Sequence, residues 1–225
     1  MRMEREELLA LLVEEILGRK DQSRPLKVAI DGRCASGKSI LAHGLVSVLG
    51  PSGLAVLRPS VDGFHHPRER RYRQGEYSAK GYYEDAYDYQ AIADSLLEPL
   101  SGTVFPASCR QVVHDVLTDM PVVDPPISVD ANSVLLFEGL FLFRRELNAY
   151  WDFRILLDVD AATCLSRALD RDTGVIGPTE VVLRKYELRY EPAWQIYVNE
   201  EHPESKADVI VDNRNFLYPH ILKPG

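Results

Sequence analysis

The residues most suggestive of chemistry form a glycine-rich segment, GRCASGKS, at positions 32–39. They fit the pattern GxxxxGK[ST], in which backbone N–H groups form a nest for phosphate oxygens and the following helix directs its positive dipole end at them. The lysine would neutralise β- and γ-phosphate oxygens, and the serine hydroxyl would contact Mg²⁺. The segment therefore predicts a site for the triphosphate of a nucleotide. The predicted ATP-binding residues are Gly32, Arg33, Cys34, Ala35, Ser36, Gly37, Lys38, Ser39 and Ile40.

Two acidic side chains follow apolar runs that read as strands. Asp62 would lie at the carboxyl edge of a sheet, where it can accept the proton of a substrate hydroxyl while facing the γ-phosphate; the alternative is a turn-forming Asp-Gly pair. Glu138 ends the run LLFE and could reach Mg²⁺ directly or through water. Asp158 and Asp160 compete with it for this role.

Two arginines, Arg167 and Arg171, lie four residues apart in a helical segment and share one face of it. Arginines over the phosphates would supply charge in the transition state; the alternative is a solvated basic face at a helix end. The predicted catalytic residues are Asp62, Lys38, Arg171 and Arg167.

These groups must be positioned by strands and helices, which are predicted from apolar runs and from the helical periodicity between them. The sequence predicts an α/β fold, with a five-stranded, mostly parallel sheet covered by helices on both faces. The expected strands are 26–31, 54–60, 133–139, 155–160 and 207–213, and the expected helices are 3–17, 40–49, 89–98, 161–172 and 179–200.

Two segments, 61–88 and 101–128, interrupt this alternation, and 167–185 forms a predicted lid. The first is rich in tyrosine and arginine with little periodicity, and the second has several prolines around an expected hairpin. Long excursions of this kind are often functional, and aromatic faces suit a planar ring. His65 and His66 are adjacent and therefore read as loop histidines rather than a metal pair. The predicted substrate-binding residues are Phe64, His65, Tyr82, Tyr83, Asp88, Arg110 and His114.

Length and composition restrict the class of protein. The 225 residues are expected to form one domain, 1–225, that opens with a helix within 1–20. A net charge of −8 disfavours nonspecific nucleic-acid binding. Three cysteines without CxxC spacing predict neither disulfides nor a zinc site. The start does not resemble a signal peptide, and no apolar run is long enough to span a membrane. A cytoplasmic protein with no membrane partner is expected, and homo-oligomerisation stays open.

Taken in order, these motifs resemble the uridine kinase/phosphoribulokinase family of P-loop kinases. The resemblance covers about residues 26–213 and rests on the 32–39 loop, Asp62-Gly63-Phe64, the stretch 85–88, the LLFEG segment 135–139, Arg167 with Arg171, and ADVIVDN at 207–213. It implies transfer of the γ-phosphoryl group of ATP to a hydroxyl of a small metabolite. It also implies that Asp62 is both the general base and an Mg²⁺-associated carboxylate, which makes Ser39, Glu138 and Asp62 the predicted metal ligands.

The acceptor side departs from the family pattern. Tyr82 stands where uridine kinases usually have the aspartate that holds ribose hydroxyls, and the sequence Leu117-Thr118-Asp119 replaces the H-x-R of the hairpin. A nucleoside-like acceptor is expected. The alternatives are a sugar, a pantothenate-like molecule or a phosphorylated acceptor, and a nucleotide-binding switch or assembly factor without its own acceptor.

Overall fold

The computed structural model describes residues 3–223 and has a six-stranded central sheet. Its strands are β1 (Leu26–Gly32), β2 (Ala55–Leu57), β7 (Ser133–Gly139), β8 (Phe153–Asp158), β9 (Val209–Asp212) and β10 (His220–Lys223). The order across the sheet is β10-β9-β8-β1-β7-β2. Five strands are parallel and the sixth, β10, pairs antiparallel with β9 at one edge. Two small antiparallel pairs, β3 (Ala107–Cys109) with β6 (Ile127–Val129) and β4 (His114–Asp115) with β5 (Met120–Pro121), lie outside it.

Helices connect the strands and cover the sheet. Two of them contain a π-helical turn, at Ala93–Leu97 after α5 and at Tyr186–Tyr190 between α7 and α8. The helices are α1 (Arg5–Arg19), α2 (Lys38–Leu49), α3 (Arg68–Arg71), α4 (Ala79–Asp85), α5 (Tyr89–Ile92), α6 (Ala161–Asp172), α7 (Thr179–Lys185), α8 (Glu191–Glu201) and α9 (Pro203–Lys206). Short 3₁₀ turns occupy Gly50–Ser52, Val61–Phe64, Pro99–Ser101 and Asn148–Tyr150.

The central strands β1 and β7 are buried on both faces, as expected for parallel strands whose residues are almost all apolar. Along β1, Val28 and Ile30 pack with α1 and α2, whereas Ala29 joins the opposite cluster, which includes Tyr83 and Tyr197. This alternation follows from the two-residue period of a strand. Two apolar cores therefore hold the carboxyl ends of the strands in fixed positions.

The predicted α/β class and mostly parallel sheet are confirmed, and all five expected strands are present. The sixth strand was missed because β10 is a four-residue antiparallel edge strand without a long apolar run. The expected helices at 161–172 and at the N-terminus are also present. The first two and last two residues of the predicted single domain lie outside the described residues.

The 61–88 excursion is more ordered than its composition suggests. It contains a 3₁₀ turn, α3 and α4, and three of its tyrosines, Tyr82, Tyr83 and Tyr87, belong to the core. Their rings pack edge-on against Phe141, which follows β7. The 61–88 sequence shows no helical periodicity because its helices are short and are packed on several sides. Within residues 3–223, every helix is too short or too polar to cross a bilayer.

Candidate active site

The loop between β1 and α2 is closed around its own lysine. Lys38 is 6% exposed, and its ammonium group donates to the carbonyl oxygens of Gly32 at 2.8 Å and Arg33 at 2.6 Å. Gly37 has a φ of 100°, and a Cβ there would come within 2.6 Å of Asn213 Nδ2 and of the Phe216 ring. Only glycine tolerates both the left-handed backbone and this close approach. The loop can therefore direct its N–H groups inward, as phosphate binding requires.

The side chains of Ser39 and Glu138 contact each other at the carboxyl end of β7. The Ser39 hydroxyl donates to Glu138 Oε1 at 2.8 Å. Burial raises the pKa of Glu138, although the charge of Lys38 and the Ser39 hydrogen bond act in the opposite direction. Asp62 raises it further, because the two carboxylates lie near each other at the ends of adjacent strands.

Asp62 lies at the start of the 3₁₀ turn after β2 and is open to solvent, with 65% of its side chain exposed. Its Oδ1 is 3.4 Å from His65 Nε2, and the His65 ring stacks on Tyr87 at a centroid distance of 4.5 Å. Desolvation by surrounding protein acts to raise the pKa of Asp62. The His65 hydrogen bond and the charges of His65, Lys38 and Arg171 outweigh it, so the pKa is lowered. Asp62 is therefore kept ionised, as a carboxylate must be if it is to accept a proton.

The two lid arginines have different surroundings. Arg171 pairs with Asp172 at 2.6 Å, and its charge reaches both Asp62 and the Cys34 thiol. Arg167 donates to the carbonyl oxygens of Asn213 and Arg214, each at 2.9 Å. Arg167 therefore contacts the loop that follows β9, whereas the charge of Arg171 acts on Asp62.

A cavity of about 420 Å³ connects these arginines to the glycine-rich loop. On its wall the guanidinium of Arg167 covers the Phe216 ring at 3.8 Å. Phe216 was missed by the sequence analysis, although its place after the last parallel strand, at the carboxyl edge, could have indicated it. The cavity is lined by Ala35, Gly37, Lys38, Ser39, Ile40, Arg167, Asp170, Arg171 and Phe216.

Behind the loop, the buried carboxylate of Asp31 fixes the end of β1. Asp31 accepts hydrogen bonds from the Tyr197 hydroxyl at 2.6 Å and from the backbone N–H groups of Gly32, Leu142 and Phe143. Burial raises its pKa to about 6, against the lowering effect of these bonds. This carboxylate joins the end of β1 to the segment that follows β7 and to α8, and it does not line the cavity.

Acidic partners neutralise several arginines of the acceptor side. Arg71 pairs with Asp119 at 3.0 Å, and Asp119 also accepts from His114 at 3.1 Å. Arg73 forms a two-bond pair with the buried Asp85. These charges are therefore satisfied within the protein and are not free for an anionic acceptor.

Three residues that the sequence predicts to contact the substrate pack within the core, and their role in substrate binding stays a prediction. Phe64 is fully buried against Phe137. The Tyr82 hydroxyl lies 3.2 Å from that of Tyr87 in the interior, and Tyr83 is covered by the Arg144 guanidinium at 4.0 Å. Aromatic rings between short helices gain more from packing than from exposure.

The remaining predicted acceptor residues have structural partners. Asp88 caps α5 by accepting from the Ala91 N–H, and Arg110 donates to the Asp124 carbonyl. Asp160, a competitor for the metal role, caps α6 by accepting from Thr163. His65 is the predicted acceptor-side residue that the structure brings beside Asp62.

The donors present fit a nucleotide with Mg²⁺. No group of three or more His, Cys, Asp and Glu side chains within residues 3–223 could hold a metal ion by itself. An ion at Ser39 and Glu138 would complete its oxygen shell with phosphate oxygens and water, as Mg²⁺ sites commonly do. The buried Ser36 hydroxyl also lacks a partner among the described residues. The fold and these groups define a P-loop phosphotransferase.

Comparison with known proteins agrees with this class. The model of the phosphoribulokinase / uridine kinase family matches residues 28–215, so the chain belongs to that family. Uridine-cytidine kinase B of Dictyostelium discoideum is 28% identical over 83% of this chain and 74% of its own length. Uridine-cytidine kinase 2-B of Danio rerio is 28% identical over 84% and 73%. The chain is an enzyme that transfers a phosphoryl group to an alcohol.

Solved structures show the same fold. A possible uridine kinase from Bacillus stearothermophilus superposes with a TM-score of 0.71 at 24% identity, over 91% of this chain and 97% of that one. D-glycerate 3-kinase from Cryptococcus neoformans superposes with a TM-score of 0.62 at 13% identity, over 96% and 99%. Kinases that are named for different acceptors thus share one fold.

Proposed function

We propose that this enzyme transfers the γ-phosphoryl group of ATP, in the presence of Mg²⁺, to a hydroxyl of an uncharged, nucleoside-like molecule. The observation that carries the proposal is the placement of Asp62. An exposed, ionised carboxylate lies in the electrostatic range of Lys38, Arg171 and Glu138. The uridine-cytidine kinases among its relatives support a nucleoside as the acceptor.

Each polar group has a distinct task in this proposal. Lys38 and the loop N–H groups would hold the β- and γ-phosphates, and the adenine ring would enter the cavity beside Arg167 and Phe216. Ser39 and Glu138 would hold Mg²⁺, which when bound supplies positive charge to the phosphate oxygens. Asp62 would orient the acceptor hydroxyl and take its proton. Chemistry of this kind depends mainly on positioning and charge.

The ion pairs of Arg71 and Arg73 favour a neutral acceptor over a phosphorylated one. Arg71 and Arg73, which could hold an acceptor phosphate, are already paired with Asp119 and Asp85. Binding a phosphate there would require breaking one of these pairs and leaving a carboxylate without its partner, which is costly for the buried Asp85.

ADP release measured with a panel of acceptors tests the proposal. Uridine and cytidine are compared with sugars, glycerate and a sugar phosphate at equal concentration. We expect ADP release to rise several-fold above the acceptor-free rate with a nucleoside. Stimulation by the sugar phosphate alone would contradict a neutral acceptor. Slow turnover that no acceptor stimulates, but a protein partner does, would favour a nucleotide-binding switch.

A further inference from the structure

A carboxylate without a partner lines the cavity beside the glycine-rich loop. Asp170, on α6, is the acidic residue among the described residues that line it, and it is exposed. Its side chain has no hydrogen bond or ion pair within residues 3–223. The neighbouring arginines have other partners, since Arg167 donates to backbone carbonyl oxygens and Arg171 pairs with Asp172. Both carboxylate oxygens of Asp170 are therefore available to a ligand in the cavity.

The order of residues along α6 places Asp170 between the two ends of the cavity. At 1.5 Å per residue, Asp170 lies about 4.5 Å along the helix axis from Arg167 and about 1.5 Å before Arg171. The Arg167 guanidinium covers the Phe216 ring, which provides a flat surface for a base. The charge of Arg171 acts on Asp62, at the phosphate end. Because the ribose joins base to phosphates in every nucleotide, the ribose is the part that passes Asp170.

The chemistry of Asp170 fits a sugar better than a phosphate. A carboxylate only accepts hydrogen bonds, and its charge repels phosphate oxygens. Lys38 and Arg171 supply the positive charge for phosphates in this cavity. The 2′ and 3′ hydroxyls of a ribose are two donors on adjacent carbons, and the two oxygens of one carboxylate can accept from both. A vicinal diol is therefore the group that matches Asp170.

We propose that Asp170 selects a ribonucleotide as the phosphoryl donor by accepting hydrogen bonds from the 2′ and 3′ hydroxyls of its ribose. This inference rests on the proposed function, because it requires the nucleotide to occupy this cavity. It adds a side chain that distinguishes the sugar of the donor, which the glycine-rich loop does not contact. Deoxyribonucleotides lack one of the two hydroxyls and should therefore bind more weakly.

Calorimetric titration with ADP, 2′-deoxy-ADP and 3′-deoxy-ADP, with Mg²⁺ and without an acceptor, tests this proposal. ADP has no γ-phosphoryl group, so phosphoryl transfer does not disturb the measurement. We expect the parent protein to bind ADP about tenfold more tightly than either deoxynucleotide, because each lacks one hydrogen bond to a charged group. In Asp170→Ala, the three affinities should agree within about twofold, since neither hydroxyl has its acceptor.

Glu180→Ala is the matched control. Glu180 is an exposed carboxylate in α7, within the predicted lid, and it does not line the cavity. The two variants remove the same charge from exposed helical positions, where alanine favours the helix. Glu180→Ala should keep the preference of the parent for ADP over the deoxynucleotides. GDP tests the base, and the ratio of ADP to GDP affinity should be the same in Asp170→Ala as in the parent.

Three outcomes would overturn the proposal. The parent could bind all three adenine nucleotides equally, Asp170→Ala could keep the preference, or Glu180→Ala could lose it as well. A changed ratio of ADP to GDP affinity in Asp170→Ala, with the sugar preference intact, would place Asp170 at the base instead. In each case ADP still binds, so the proposed function stands. A parent protein that binds none of these nucleotides would contradict the proposed function and this inference together.

Discussion

The role of Asp62 gives the sharpest prediction about the chemistry. Asp62→Asn keeps the size of the side chain but removes the charge and the ability to accept a proton. Loss of a general base typically lowers the rate by about 10²–10⁴-fold, which corresponds to about 3–5 kcal/mol in the activation free energy. We expect a fall of this size in kcat for acceptor-dependent ADP release.

The stability of the fold and the affinity for ATP should change little with this substitution. The Asp62 side chain is 65% exposed and has one close polar contact, the 3.4 Å approach to His65. The free energy of unfolding should therefore change by less than about 0.5 kcal/mol. Calorimetric titration with a nonhydrolysable ATP analogue should show affinity within a few-fold of the parent protein, because Lys38 and the loop are untouched.

Asp158→Asn serves as the matched control, since Asp158 is an exposed carboxylate at the end of the strand on the other side of β1. It should retain nearly full activity. If Asp62→Asn keeps its kcat, Asp62 is not the base; an equal loss in Asp158→Asn would mean that the loss in Asp62→Asn does not identify a base. The lowered pKa of Asp62 adds a second check: its protonation should not reduce the activity at or above pH 5, because the carboxylate stays ionised there.

Three further perturbations test the loop and its support. Lys38→Met should lower kcat/KM by at least about 10²–10³-fold in steady-state assays, because the variant lacks the charge on the phosphates; unchanged kinetics would exclude this lysine from the site. Gly37→Ala should weaken ATP binding measured by calorimetry, since its Cβ would lie 2.6 Å from Asn213 Nδ2 at a φ of 100°; normal affinity would argue against the cradle. In Asp31, the pKa is raised from 3.8 to about 6, so the folded state retains a proton that the unfolded state has released. Relative to Asp31→Asn, the parent should therefore lose about 3 kcal/mol of unfolding free energy, measured by urea unfolding, as pH rises from about 3 to about 7; a pH-independent difference would contradict this.

Local patterns were sufficient for the five parallel strands of the sheet and for the phosphate loop. The strands at 26–31 and 133–139 are continuous apolar runs. The glycines of the 32–39 segment are spaced as the backbone of a phosphate-binding loop requires. Because an apolar run buried on both faces and a glycine-dependent turn are properties of neighbouring residues, sequence alone revealed them. The family and the chemistry of phosphoryl transfer followed from their order along the chain.

The surroundings of the side chains depended on the tertiary structure. Tyr83 resembles an acceptor contact in sequence, but Arg144, distant in the chain, covers its ring. Arg167 and Phe216 form one wall only because α6 and the loop after β9 meet at the same sheet edge. Burial and contact between distant residues are set by how the elements pack, and no periodicity within one segment records them.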